Sequence, residues 1–167
     1  MNRRFVIEAV MLAIYGQLLV PGRPVEYIIP YTSILELYEM QDSSEPVMPE
    51  EGEDQFVKEK IRELIAYFED PFNKKKLERM LTSPWKKSAP MPVNEHTSLV
   101  VIYAIENAQY GELLDPVETE LVLVSIREQA PMITDQFELL SKIIEGGITA
   151  VAYDIEDFEY ALEDPIG

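Results

Sequence analysis

The chain has 167 residues, 31 acidic and 14 basic side chains, a net charge of −17 and no cysteine. This length suits one domain that folds without disulfides or metal, and an apolar share of 47% argues against disorder. The lack of cysteine excludes a disulfide framework, a thiolate metal site and cysteine catalysis, and the net charge disfavours binding to nucleic acid or to an anionic membrane.

The N-terminal run FVIEAVMLAIYGQLLV predicts a helix over about 4–20 that is apolar on most faces and buried in the core. Two arginines precede it, as in a signal peptide, but Glu8 interrupts the run and VPGRPVEY offers no cleavage site of small residues. The run is also shorter than the ~20 residues that span a bilayer. We therefore expect a core helix in a cytoplasmic protein without membrane attachment.

A short strand is predicted at 25–30, because the residue before its final proline is disfavoured in helical geometry. Ser33 and Glu36 stand at capping-box spacing, which predicts a two-turn helix after this strand. An acidic loop at 41–54 follows, with two prolines and no apolar periodicity.

Two amphipathic helices are predicted next, at about 53–69 and 71–82. Asp70 and Pro71 end the first and begin the second, since proline is favoured at the first position of a helix. The first helix has an apolar stripe at spacings of four, three and four residues, formed by Val57, Ile61, Leu64 and Phe68. A proline-rich loop at 83–96 follows the second helix.

The segment 97–109 fits two structures. Its β-branched run suits a buried strand, while its length and lack of alternation suit a buried helix, which its helical surroundings favour. The run DPVE at 115–118 then predicts a helix start with an acidic cap, proline and glutamate in the preferred positions.

Two further helices complete the pattern. Thr134 is predicted to cap one whose apolar stripe is Phe137, Leu140 and Ile144. The terminal helix repeats the spacing of four, three and four with Val151, Ile155, Phe158 and Leu162.

These elements predict a mainly α fold. We expect one compact domain over 1–167, an all-helical bundle of about six to eight helices with one or two short strands at 25–30 and 148–153.

Catalytic and metal-binding motifs are not found in the sequence. His96 is the single histidine, so a Ser-His-acid triad lacks support, and neither a Gly-x-Ser-x-Gly elbow nor a glycine-rich phosphate loop occurs. The carboxylates around Gly52 lack the ligand order of an EF-hand loop. We expect no catalytic residue, no metal and no cofactor, and regard enzymatic activity as the less favoured alternative.

Charge is unevenly distributed along the chain. Residues 71–87 hold six basic side chains and the only tryptophan, whereas residues 101–167 hold 15 acidic and 2 basic side chains. A tryptophan among cations can bind an acidic protein or stack on bases, or it can simply cover its own helix. An array of carboxylates can attract a basic partner, imitate DNA or only keep the protein in solution.

Two candidate partner-binding surfaces follow from this charge distribution. The first consists of Lys74, Lys75, Arg79, Trp85, Lys86 and Lys87, and the second of Asp154, Glu156, Asp157 and Glu159. The two surfaces could also attract each other, either by packing the basic helix on an acidic one or by pairing chains head to tail as a homo-oligomer.

The expected function is that of a small acidic regulator or adaptor that binds a protein partner and is not an enzyme. One alternative is an enzyme that uses carboxylates, with or without a divalent cation. Another is a DNA mimic that inhibits a nucleic-acid-binding protein.

Overall fold

The computed structural model describes residues 3–104 and 113–163. Its centre is a sheet of six strands, which are β1 (Arg3–Ile7), β2 (Val25–Pro30), β3 (Met91–Pro92), β4 (Thr97–Ile102), β5 (Met132–Ile133) and β6 (Ala152–Tyr153). They lie in the order β3-β4-β2-β1-β5-β6. Neighbouring strands are parallel except for β3 and β4, which are antiparallel.

Helices cover both faces of this sheet. They are α1 (Ala9–Ile14), α2 (Tyr31–Asp42), α3 (Glu51–Glu69), α4 (Pro71–Met80), α5 (Pro116–Glu128), α6 (Phe137–Glu145) and α7 (Ile155–Glu163). Phe5 and Ile7 belong to a core with α1 to α4 and α7, whereas Val6 belongs to a second core with α5 and α6. The two cores arise because successive residues of a strand point to opposite faces.

The prediction of a mainly α, all-helical bundle is therefore wrong, and the molecule has an α/β fold. The run at 4–20 is not one helix but β1, α1 and a 3₁₀ turn at Gly16–Leu19. A parallel strand covered on both faces is apolar at every position, so it lacks the alternation that identifies a half-exposed strand. Val6 and Ile7 are fully buried in this central position.

The apolar N-terminal run thus belongs to the centre of the folded domain. Among residues 3–104 and 113–163, no helix combines the length and apolar character needed to cross a membrane.

The second apolar segment was also misassigned. Residues 97–102 form β4, which pairs with β2 along its full length, while residues 105–109 lie outside the described part of the chain. The proline-rich loop contains β3, and Lys87 pairs with Ile102 in an antiparallel bridge. Consequently, residues 87–92 line the outer edge of β4.

Several local predictions are confirmed. β2 occupies 25–30, and β6 lies within 148–153. The Asp70 side chain accepts a hydrogen bond from the Phe72 amide at the start of α4. Asp115 and Glu118 form the reciprocal capping box of α5, with N–O distances of 2.8 and 3.0 Å.

Two predicted caps are wrong. The Ser33 hydroxyl donates to the Pro30 carbonyl and accepts from the Ala9 amide, so it joins the starts of α2 and α1. Thr134 accepts from the amide of Gln136, and Gln136 is the N-cap residue of α6. In neither case does the hydroxyl accept a hydrogen bond from an amide of the helix that it was expected to cap.

The predicted stripe of α6 is also wrong. Leu139 and Ile143 are the buried residues of this helix, whereas Phe137 and Ile144 are 80% and 81% exposed. In α7, Phe158 and Leu162 are buried as predicted, but Val151 precedes the helix and is exposed.

Candidate functional site

The strand order reverses beside the central strand, which is where doubly wound folds have a crevice. From β1 the chain moves outward to β2 and β4, and then α5 returns it to β5 on the other side of β1. In doubly wound α/β proteins, ligands bind outside the carboxyl ends of the strands, at the point where the chain changes the direction in which it adds strands to the sheet. Here that point lies between the ends of β1 and β5.

Carboxylates gather around this point. Glu8 directly follows β1, Asp135 lies two residues after β5, Asp115 precedes α5, Glu118 lies in its first turn, and Glu36 lies on α2. The carboxyl ends of parallel strands and the beginnings of the following helices meet at one edge of the sheet, which explains why these distant residues approach each other. The four other carboxylates all raise the pKa of Glu8.

Glu8 has the most perturbed carboxyl group of this cluster. Burial, followed by the charges of Glu36, Asp135, Asp115 and Glu118, raises its pKa from 4.5 to about 7. Glu8 occupies the N-cap position of α1, yet its side chain makes no capping hydrogen bond. Within residues 3–104 and 113–163, no hydrogen bond to its carboxylate is found.

The neighbouring carboxylates are engaged in the framework of the site. Asp135 accepts a hydrogen bond of 2.9 Å from the Tyr15 hydroxyl, and burial together with this bond raises the pKa of Tyr15. Glu118 accepts from Lys142 Nζ at 2.9 Å, and this contact raises the pKa of Lys142. Glu118 also completes the capping box of α5, so these bonds fix the surroundings of Glu8.

A groove adjoins the cluster through Tyr15. It has a volume of about 440 Å³ and lies between the end of α1 and the start of α3. Its wall is formed by Ile14, Tyr15, Met48, Gly52, Glu53, Phe56 and Val57. The Tyr15 hydroxyl bonds to Asp135, so this residue belongs both to the wall of the groove and to the surroundings of the carboxylates.

A larger cavity of about 520 Å³ lies elsewhere, between residues 17–23 and α7. It lies on the side where β2 begins, away from the carboxyl ends of the strands. Glu8 lines neither this cavity nor the smaller groove. We therefore place the candidate site at the carboxyl ends of β1 and β5, where the strand topology and the titratable groups coincide. The smaller groove adjoins this point through Tyr15.

The described residues do not form a metal centre, since no group of three or more His, Asp or Glu side chains is arranged to hold an ion within 3–104 and 113–163. In the acidic loop, Asp54 instead accepts from the amides of Val47 and Met48 and pairs with Lys58.

The first β–α turn also presents Glu8 where dinucleotide-binding folds place glycine, so its carboxylate repels phosphate.

The tryptophan of the basic segment packs against the second core. The Arg127 guanidinium lies 4.2 Å from the centre of the Trp85 ring, and the Trp85 amide bonds to the Tyr103 carbonyl. Lys87 Nζ lies 3.1 Å from Glu128 on α5. Trp85 and Lys87 are thus directed towards α5, away from the lysines of α4.

Four other predicted residues remain on the surface around α4. Lys74, Lys75 and Arg79 are exposed, and none forms an ion pair with a described residue. Lys86 reaches back to the Thr82 hydroxyl at 3.1 Å. The structure therefore divides the predicted basic surface into two parts.

The predicted acidic surface lies on α7. Asp154 and Asp157 cap each other's amides at the start of the helix, with N–O distances of 2.7 and 3.1 Å. Glu156 and Glu159 are exposed. No ion pair joins α4 to α7 among the residues that the structure describes, so the idea that the lysines neutralise this acidic helix finds no contact to support it. The ion pair of Lys87 with a helix is made to α5 instead.

Sequence reasoning did not identify Glu8 as a candidate site residue. The available signal was a single carboxylate inside a run of buried apolar residues, which is costly unless the charge is used or neutralised.

Comparisons with protein-family models and with curated proteins find no match to the chain.

Proposed function

We propose that this protein is an enzyme that binds a small molecule at the carboxyl ends of β1 and β5 and transfers a proton through Glu8. The observation that carries the proposal is the position of Glu8 at the point where the strand order reverses, with a pKa of about 7 and no capping role. The proposed activity corresponds to one alternative that the sequence raised, an enzyme that uses carboxylates.

A carboxyl group with this pKa is suited to acid–base chemistry near neutral pH. Both the protonated and the ionised form are populated at pH 7, so the group can donate a proton in one step and accept one in the next. An ordinary glutamate is almost fully ionised at that pH and is a poor acid. Burial beside four other carboxylates gives Glu8 its dual capacity.

The charge of the crevice selects the substrate class. Four carboxylates raise the pKa of Glu8, and among the described residues Lys142 is the one cation ion-paired with any of them, through Glu118. An anionic substrate would be repelled, whereas a neutral hydroxyl- or carbonyl-bearing molecule or an amine would be accepted. The mixed polar and apolar groove beside Tyr15 would hold the part of the substrate that does not react.

Screening followed by turnover tests this proposal. We would measure the melting temperature of the protein with a library of anionic, neutral and cationic small molecules, because ligands that bind the native state raise it by mass action. Molecules that stabilise the protein would then be incubated with it, and their conversion would be followed by mass spectrometry. Glu8→Gln removes the proton-transfer group, and Glu59→Gln makes the same change on the exposed face of α3.

We expect neutral or cationic molecules to stabilise the protein, and we expect Glu8→Gln to abolish conversion while Glu59→Gln keeps it. Stabilisation by anions alone, or equal turnover by the Glu8→Gln variant, would contradict the proposal. The cytoplasm remains the compartment we propose, since it supplies small metabolites at neutral pH, where Glu8 holds both forms.

A further inference from the structure

One flank of α4 presents cations beside an exposed aromatic ring. Phe72, Lys75, Lys76 and Arg79 are three, one and three residues apart, so they lie on the same side of the helix. The phenyl ring of Phe72 is 79% exposed, although the buried face of α4 lies next to it. Single exposed apolar side chains are common on protein surfaces, so the ring is informative here through the cations that lie beside it.

The cations of this flank are positioned but not neutralised. Lys76 Nζ donates to the Pro90 carbonyl at 2.7 Å, and Lys86 Nζ lies 3.1 Å from the Thr82 hydroxyl, which itself bonds to the Arg79 carbonyl. No carboxylate of the described residues lies within ion-pairing distance of these cations or of Lys75. In contrast, Lys87 is already paired with Glu128 and faces α5.

We propose that this flank of α4 binds an acidic segment of a partner protein that carries at least one apolar residue. The carboxylates of the segment would pair with Lys75, Arg79 and Lys86, and its apolar residue would cover Phe72. Arginine and aromatic side chains are enriched in protein interfaces, and here Phe72 and Arg79 lie on one flank of the helix, about two turns apart.

The net charge of −17 does not prevent this contact. Exposed charges are screened over about 8 Å at physiological ionic strength, so the nearby cations dominate the potential at the flank. The same net charge works against nucleic acid, whose dense phosphates would meet the acidic remainder of the surface. This inference goes beyond the proposed enzyme function and does not depend on it.

Selection of peptides by the full-length protein provides the test. A display library of random twelve-residue peptides would be selected at physiological salt, and the enriched peptides would be synthesised with a fluorophore for anisotropy measurements. We expect enriched peptides to be acidic and to contain an apolar residue. No enrichment, or enrichment of neutral or basic peptides, would overturn the proposal.

Matched variants locate the binding surface. The double variant Lys75→Glu and Arg79→Glu should weaken binding of the selected peptides at least about tenfold, because paired charges become opposed. Phe72→Ala should also weaken it. Lys74→Glu carries the same kind of charge reversal on the other flank of the helix and should leave the affinity within about twofold.

The inference would be overturned by equal loss in the Lys74→Glu control, by unchanged binding in the double variant, or by tighter binding of a labelled DNA strand than of the peptides at the same flank. Concentration-dependent self-association that is lost in the double variant would also overturn it, since the occupant would then be a second copy. Glu8→Gln should bind the peptides normally, which separates this surface from the candidate active site.

Discussion

Replacing Glu8 by glutamine should stabilise the protein at alkaline pH and change little at acidic pH. Glutamine keeps the shape of glutamate but cannot ionise, so it resembles the protonated form of the residue. Because the folded state raises the pKa of Glu8 from 4.5 to about 7, the native protein holds this proton more tightly than the unfolded chain does. The stability contributed by this group is present below about pH 4.5 and is lost as the pH rises through about 7.

The size of the effect follows from the same pKa change. A rise from 4.5 to about 7, at 1.36 kcal/mol per pH unit, gives about 3 kcal/mol for ionising Glu8 in the folded protein. At pH 8.5 the Glu8→Gln variant should therefore exceed the wild type by about 3 kcal/mol in free energy of unfolding. At pH 5, where most wild-type molecules are protonated at this residue, the gain should fall to about 1 kcal/mol.

Urea unfolding at the two pH values measures this difference, with the helical circular dichroism signal as the probe. Glu59→Gln is the control, because Glu59 is exposed on α3 and its replacement should give a small difference that does not depend on pH. A gain of equal size at both pH values, or destabilisation at pH 8.5, would refute the reasoning.

The remaining predictions concern the framework of the fold and are checked by urea unfolding at pH 7. Asp115→Ala should cost about 1 kcal/mol, because the capping box of α5 is lost, and a cost near zero would contradict that role. Leu139→Ala should cost about 3 kcal/mol, since its side chain is fully buried, whereas Phe137→Ala should stay within about 0.5 kcal/mol. A larger cost for Phe137→Ala than for Leu139→Ala would contradict the structure and support the apolar stripe of α6 that the sequence predicts. Tyr15→Phe should cost about 1 kcal/mol through loss of its bond to Asp135, and an unchanged stability would show that this bond is not maintained in solution.

Helix boundaries set by local chemistry could be predicted from the sequence. Asp70 with Pro71 and Asp115 with Glu118 satisfy free amides within their own first turn, so the residues that define the boundary are neighbours in the chain. The apolar stripe of α3 could be predicted for the same reason, since helical spacing is fixed by local geometry.

The sheet could not be predicted in this way. Phe5 pairs with Tyr27 and Tyr27 with Leu99, so the strands are stabilised by partners distant in sequence. Strands buried on both faces lose the alternation that would reveal them, and β1 and β4 were therefore confused with helices. A pattern of short apolar runs separated by amphipathic helices was the available sign of a parallel α/β fold.

The candidate site depends on the same long-range order. Tyr15 contacts Asp135 across 120 residues. Glu8 lies near Asp135 and near the carboxylates at the start of α5 only because β5 lies beside β1. Charge counting instead drew attention to the basic segment, and the structure separates that segment into Trp85 and Lys87 near α5 and the exposed flank of α4. Local composition can locate charge, but it cannot show which charges face each other.

The most direct test of the proposed site is the titration of the Glu8 side-chain carboxyl in the full-length protein. Carbon-13 NMR would follow this resonance between about pH 4.5 and 9, with assignment by comparison to the Glu8→Gln variant. A midpoint near pH 7 is the predicted result. A midpoint near the ordinary glutamate value of about 4.3 would contradict the assignment of Glu8 as the acid–base group of this protein.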